Sequence, residues 1–481
     1  MSATIKNRFT LADQLAFAEL SGDYNPLHVD PLIARRNLFG RPVVHGIHSV
    51  LWALEQWLEK HPAQILLTGL NARFIKPIYL ETEVTFHQKP INDFKTSIQV
   101  NSLGRVSTHI DITWQTAATE ACPPISDTSW PRQAPQALSK SAISEASGRL
   151  DLRLNTSAVT ERFPCLLKYL PAAQISTLLG STYLVGMVCP GLHSLFSELS
   201  LVSAHQDMGS QMAYQVSRYN EQRFDPAELS IATSSMTGKL KAFVRPQPQA
   251  QPDYQQIQTH VAEHEFSKQH ALVIGGSRGL GEVVAKMLAA GGARVSITYF
   301  QGKQEAQKVV NELTKAGQQA SAFPLNVLSP HHNFDDCVHH DQPFTHLYYF
   351  ATPFISTAIK GNFSATLFQQ FCDYYTTGFS TLVNQLKPLG LKKVFYPSTV
   401  YIDEVPSNMG EYITAKAAGE ALCQFLNKTQ YGVTVWAPRL PRMSTDQTLG
   451  LIPLKCQSPL EVMLPSLRTF RDLSTSEITV R

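Results

Sequence analysis

A chain of 481 residues exceeds what one hydrophobic core usually supports, so two or three domains are expected. With 43% hydrophobic and 16% charged residues and a formal net charge of +3, the composition gives no electrostatic reason to expect nucleic acid or a membrane surface as partner. Seven widely spaced cysteines without a C-x-x-C argue against a disulfide framework or zinc ribbon and for a reducing cytoplasm; the N-terminal residues do not read as a leader and no run of about 18 apolar residues occurs, so a soluble, unprocessed chain is expected.

In chain order, residues 17–34 read FAELSGDYNPLHVDPLIA and crowd Asp23, Asn25, Pro26 and His28 into six positions. Val44, His45 and Gly46 then lead into a helical pattern over Gly46–Lys60, followed by alternating segments at 71–74, 83–87 and 107–114. This reads as one helix on an antiparallel sheet, residues 1–121. A second block, 142–245, echoes the first, since the Gly-Leu-x-x-x-Phe at Gly69, Leu70 and Phe74 recurs at Gly191, Leu192 and Phe196. Stretches 122–141 and 245–269, rich in Pro, Gln or Ser, read as linkers. The third block, 269–481, opens with a strand at 271–274, a Gly-rich turn, a helix at 281–290 and a strand at 294–298. That βαβ order implies a doubly wound parallel sheet.

The first block carries an acid and a base on one turn. Asn25-Pro26 interrupts any helix, so Asp23 and His28 can converge from its two sides and share one water for general acid-base addition to, or elimination from, an activated double bond. A backbone N–H in the first turn of the helix at Gly46 can hold an enolate-like thioester oxygen. The string D-x-N-P-x-H, with its upstream Ser-Gly and downstream Ala34, resembles the hydration motif of the MaoC-like, (R)-specific enoyl-CoA hydratases over roughly the first 120 residues. The resemblance implies a double hotdog, with Asp23 and His28 holding the catalytic water, Gly46 supplying the oxyanion donor and Asn25 bracing the loop. The second repeat lacks the motif, and its His193 stands alone. It is expected to supply walls rather than chemistry to a single site at the seam between the repeats.

In the third block, ALVIGGSRGLG places Gly275, Ser277, Arg278, Gly279, Leu280 and Gly281 between a strand and a helix, where glycines let the backbone approach a pyrophosphate. The second strand ends without an acid for a ribose 2′-hydroxyl, whereas Arg278 and Lys303 can meet a 2′-phosphate, which favours NADP over NAD. Tyr412 and Lys416 form Y-x-x-x-K on one helix face, and a lysine ammonium there is expected to lower the phenol's pKa. Ser398, fourteen residues before Tyr412, would bond the same carbonyl oxygen, a role Thr399 at thirteen residues can also fill. This set resembles the short-chain dehydrogenase/reductase family over about 210 residues. Three departures stand out: Ile274 replaces the opening threonine, Phe350, Ala351 and Thr352 replace Asn-Ala-Gly, and the helical Asn that supports the lysine is replaced near Tyr375. Ala351 stays in the expected cofactor-binding set. His331, His332, Asp335, Asp336, Cys337, His339 and His340 are read as a crowded polar loop, with no metal required.

Together the two resemblances imply a dehydratase/hydratase and an NADP-dependent 3-oxoacyl reductase, with NAD as the alternative cofactor, sharing a 3-hydroxyacyl thioester on coenzyme A or acyl carrier protein. The alternatives are a hydratase with a degenerate nucleotide-binding domain and a non-catalytic acyl-thioester binder. Acyl length, direction and assembly as a homo-oligomer stay open.

Overall fold

The computed structural model describes residues 4–116, 125, 127–220, 225–329, 343–355, 361–429, 432–452 and 454–473. The chain divides into two compact units, residues 1–247 with 450–452, and residues 248–449 with 453–481. Among the described residues, no helix is long and apolar enough to cross a membrane.

The first unit is built on a ten-stranded sheet. Its strands are β1 (Lys6–Arg8), β2 (Ile65–Phe74), β3 (Glu83–Asn92), β4 (Lys95–Ser102), β5 (Arg105–Thr116), β6 (Ser147–Asp151), β7 (Ser194–Ser203), β8 (Gln211–Arg218), β9 (Ala227–Ala232) and β10 (Met236–Val244). The spatial order β1-β3-β4-β5-β2-β7-β10-β9-β8-β6 is the duplication made visible, because β2-β5-β4-β3 on one side is repeated as β7-β10-β9-β8 on the other. The repeats join through β2 and β7, which pair antiparallel with Asn71 opposite Ser200 and Arg73 opposite Glu198. The six-residue echo does not mark equivalent positions: Gly69 lies inside β2, while Gly191 sits in the turn before β7.

Period-two burial, seen most regularly along β4, turns one sheet face to the core. Against it the helix Gly46–Lys60 buries Ile47, Val50, Leu51, Leu54, Trp57 and Leu58, an i, i+3, i+4 stripe. The second repeat's helix, Ala172–Tyr183, is buried on every side and runs on as a π-helical turn, Leu184–Val188. Its Gln174 reaches across to the bulge in β2, bonding Leu67 N at 3.0 Å and Leu67 O at 2.8 Å. That pairing satisfies backbone groups the bulge leaves out of the ladder.

The second unit is a six-stranded parallel sheet ordered β13-β12-β11-β14-β15-β17. It comprises β11 (His270–Ile274), β12 (Arg294–Tyr299), β13 (Ala320–Pro324), β14 (His346–Tyr349), β15 (Lys393–Phe395) and β17 (Thr434–Trp436). A short parallel pair, β16 (Ser398–Thr399) with β18 (Arg439–Leu440), extends beyond it. The strands are near-continuous apolar runs because separate cores cover them, one gathered by the helix Gly279–Ala290 and one by the helix Gly410–Thr429. Crossovers of this kind leave the carboxyl ends of the strands open to a ligand.

Described parts of both expected linkers are packed. Trp130 is buried, with its ring 4.3 Å from that of Tyr183. Residues 253–258 form a capped turn of helix, and Tyr254, Ile257 and Phe266 enter the core of the second unit. Sparse aromatic anchors among Pro and Gln residues bury apolar area at these described positions, which a composition average conceals.

Candidate functional site

The first site starts where the helix Leu11–Ser21 ends on Gly22 in the left-handed conformation and turns the chain inward. Asn25 then caps the short helix Pro26–Val29 through Leu27 N at 3.1 Å, while its amide nitrogen donates to Gly186 O, Gly191 O and Leu192 O at 3.0, 3.2 and 3.3 Å. The expected brace is therefore a clamp onto the second repeat. His28 Nδ1 faces Val43 O at 2.8 Å, which assigns the proton to Nδ1 and leaves Nε2 as a lone-pair acceptor. Asp23, His28 and His45 bring ligand atoms within 4.8 Å of one another, a spacing a metal ion also fits. His45 places Nε2 2.9 Å from Asp23 O and Nδ1 2.9 Å from Gln14 Oε1, and as a neutral ring it donates to one of them.

Burial governs the electrostatics. It pushes the Asp23 carboxyl up from its ordinary 3.8 to about 7, against the lowering bonds from Thr182 and Asn25 N. It pulls His28 down to about 4, only partly offset by the Val43 bond. His45, stacked on His28 with centroids 3.9 Å apart, is held well below the usual imidazole range by burial and then by the neighbouring ring. Near neutral pH the site thus holds a carboxyl poised between acid and base beside a neutral imidazole. Gly46 opens its helix with no side-chain cap from His45, so the first-turn N–H groups are left uncapped by that side chain.

Several of these residues escaped the sequence reading. Thr182 donates its hydroxyl to Asp23 Oδ2 at 2.6 Å, so a side chain of the second repeat reaches the carboxyl. Gly186 lets the carboxyl in, since a Cβ there would lie 2.2 Å from Asp23 Oδ1. Arg245, 3% exposed, donates to Asn37 Oδ1, Leu192 O, Ser194 O (3.2 Å) and Asn25 Oδ1 (3.3 Å), tying the turn to the end of β10. None belongs to a local motif; the signal that could have found Thr182 and Gly186 is the unusually apolar run around Gly180 and Gly186, where glycine marks close approach, and no such signal marks Arg245. His193 is half-buried, and Arg245 N donates to its backbone oxygen at 2.8 Å.

In the second unit the glycine turn lies at the carboxyl end of β11. Gly275 and Gly279 have φ of 75° and 60°, and the space beside Gly279 is open where a Cβ would stand. Helix Gly279–Ala290 begins there without a side-chain cap, leaving its first N–H groups for a phosphate. These features fit a dinucleotide. Gly275 also abuts Phe350 and Ala351, with a would-be Cβ 3.1 to 3.2 Å from their backbone. Ser277 is buried, Leu280 packs on the core beneath the turn, and Gly281 lies against Gly275 O. Arg278 lies 3.5 Å from Asp446 Oδ2, and Lys303 opens its own helix, exposed.

Ser398 and Thr399 take different partners. Its hydroxyl donates to Glu420 Oε1 at 2.5 Å, within an ion-pair network of Glu420, Arg439 and Asp403. Alternation along β16 turns Thr399 the opposite way, and its hydroxyl is the one bonded to Tyr412. The phenol is not lowered: burial pushes Tyr412 up to about 12. Lys416 stands instead in an aromatic box, Nζ 4.0 Å from the Tyr375 ring centre and 4.7 Å from that of Tyr396, donating to Pro397 O at 2.7 Å. Burial lowers it to about 7. Two of the departures bond to one another: the Thr352 hydroxyl donates to Pro353 O at 2.9 Å and accepts from the Tyr375 phenol at 2.5 Å. The histidine-rich loop 331–340 lies outside the described residues.

Comparison with known proteins matches residues 2–107 to the family described as MaoC like domain and residues 269–342 to short chain dehydrogenase. An (R)-specific enoyl-CoA hydratase of Aeromonas caviae is 38% identical over 86 residues, 17% of this chain and 63% of that protein. A peroxisomal multifunctional enzyme type 2 of Drosophila melanogaster is 40% identical over 73 residues, 14% of this chain and 12% of that protein. An NADPH-dependent aldehyde reductase 2 (chloroplastic) of Arabidopsis thaliana is 28% identical over 186 residues, 34% of this chain and 68% of that protein. The chain spans less than two thirds of the length of the first two relatives.

Proposed function

Because the chain joins a MaoC-like domain to a short-chain dehydrogenase domain, we propose that it is a bifunctional acyl-thioester enzyme, an (R)-specific enoyl hydratase/3-hydroxyacyl dehydratase with a 3-oxoacyl reductase. The observation that carries the first activity is the pairing of a carboxyl pushed up to about 7 with a neutral imidazole beside a helix N-terminus. In hydration, His28 Nε2 takes a proton from the water as its oxygen bonds to the β-carbon. Protonated Asp23 delivers its proton to the α-carbon, and a first-turn N–H at Gly46 holds the thioester oxygen as charge develops there. His28 and Asp23 then exchange one proton, which resets both; dehydration is the reverse. The Aeromonas relative supports coenzyme A as carrier, with acyl carrier protein as the alternative.

In the second domain, bound NADPH would supply a hydride to the 3-oxo carbon. The glycine turn and the helix Gly279–Ala290 would hold its pyrophosphate, with Arg278 and Lys303 at the 2′-phosphate. Thr399 and Tyr412 would hold the carbonyl oxygen, and Tyr412 would give it a proton. The Arabidopsis relative's name supports NADP over NAD. We place the protein in the cytoplasm. A second reading, a nucleotide-binding domain that does not turn over, is favoured by one observation: Lys416 is spent on Pro397 O and two aromatic rings. NADPH oxidation on addition of a 3-oxoacyl-CoA decides between them; consumption supports the reductase, and its absence on all chain lengths supports the second reading.

A further inference from the structure

Three loops meet at the carboxyl ends of the parallel strands: the glycine turn after β11, the segment 350–355 after β14, and the segment 442–448 after β18. The third is laid over the other two. Gln447 accepts from Ile355 N at 3.0 Å and donates to Pro353 O at 3.2 Å, while Gln251 donates to Ser444 O at 3.1 Å. At its centre Asp446, 8% exposed, accepts from Gln249 N at 2.7 Å through one oxygen and faces the Arg278 guanidinium at 3.5 Å with the other.

We propose that Asp446 determines nucleotide choice as an internal anion that occupies Arg278 until a 2′-phosphate takes its place. The inference rests on reading this domain as a nicotinamide-nucleotide binder. Arg278 keeps 27% of its side chain exposed, so an incoming anion can reach it. A 2′-phosphate and the Asp446 carboxylate are like charges competing for one guanidinium, and they cannot both sit against it without strong repulsion. NADPH therefore displaces Asp446 and loosens the loop that Asp446 anchors, whereas NADH, lacking the phosphate, leaves the pair intact. NADPH affinity is thereby set by a difference between two anions on one arginine, and discrimination between the nucleotides is smaller than Arg278 alone would give.

The test uses the full chain and calorimetric titration with NADPH, NADH and 2′,5′-ADP. For a partly buried ion pair, Asp446→Asn is expected to tighten NADPH and 2′,5′-ADP about tenfold and leave NADH unchanged. In the wild-type protein, which removes any question of whether the variant folds, amide exchange at Gln249 should quicken with 2′,5′-ADP and not with 5′-AMP. Equal weakening of NADPH and NADH in Asp446→Asn would overturn the proposal, because Asp446 would then simply hold the loop for any nucleotide. Unchanged affinities with unchanged Gln249 protection would overturn it too. Failure of the wild-type chain to bind NADPH or NADH at all would instead remove the nucleotide-binding reading on which the inference stands.

Discussion

Replacing Thr182 with Val keeps the shape of the side chain and removes one hydrogen bond, the 2.6 Å donation to Asp23 Oδ2. That bond lowers the carboxyl's pKa against the larger upward effect of burial, so its loss must raise the value further above 7. A hydrogen bond to a charged group contributes about 1.5–3 kcal/mol, which corresponds to roughly one to two pH units. Asp23 is fully enclosed, so solvent screening does not reduce this figure. The proposed hydration step needs Asp23 protonated and His28 neutral, which confines kcat/KM to a window between about 4 and about 7. In Thr182→Val the alkaline limb should move up by one to two units while the acid limb stays, and Thr182→Ser should restore it. Hydration of crotonyl-CoA, followed at the enoyl-thioester absorbance across pH, gives both limbs. A uniform loss of rate with the alkaline limb unmoved would refute the reasoning and reduce Thr182 to packing.

Further outcomes follow from the same geometry. Gly186→Ala places a methyl 2.2 Å from Asp23 Oδ1, so the carboxyl must shift; hydration should fall at least about a hundredfold with a Tm loss of only a few degrees, measured by kinetics and melting together. For the proposed reductase activity, Thr399→Ala should lose roughly two orders of magnitude in NADPH-dependent rate while Ser398→Ala keeps most of it, the reverse of what the sequence spacing first suggested. Because the folded pKa of Asp23 lies above its ordinary 3.8, the associated stability is full below that value and is lost as pH rises through about 7. A shift of this size amounts to about 4 kcal/mol, so Asp23→Asn should gain up to that much over wild type between pH 4 and pH 8 in urea unfolding. A constant difference across that range would contradict the buried-carboxyl account.

What was legible in the sequence depended on how local the signal was. The hydration turn, the helix Gly46–Lys60 and the βαβ unit around Gly275 each lie within some twenty residues, and they appear in the structure with boundaries shifted by one or two positions. β4 was not among the alternating segments read from the sequence, although its burial alternates along its whole length. Thr182, Gly186 and Arg245 act on Asp23 and Asn25 from more than 150 residues away, through the pairing of β2 with β7, and only the tertiary fold reveals that adjacency. Ser398 and Thr399 show a different limit. The one-residue alternation of a strand decides which hydroxyl meets Tyr412, and a count of fourteen or thirteen residues does not.

Crotonyl-CoA hydration by wild type, Asp23→Asn and His28→Ala, with NADP⁺ then added, addresses the central claim most directly. The account predicts hydration by the wild type, its loss in both variants, and NADPH appearing from the 3-hydroxyacyl product in the wild type but not in Tyr412→Phe. Absence of hydration on any acyl thioester, or its survival in Asp23→Asn, would contradict it.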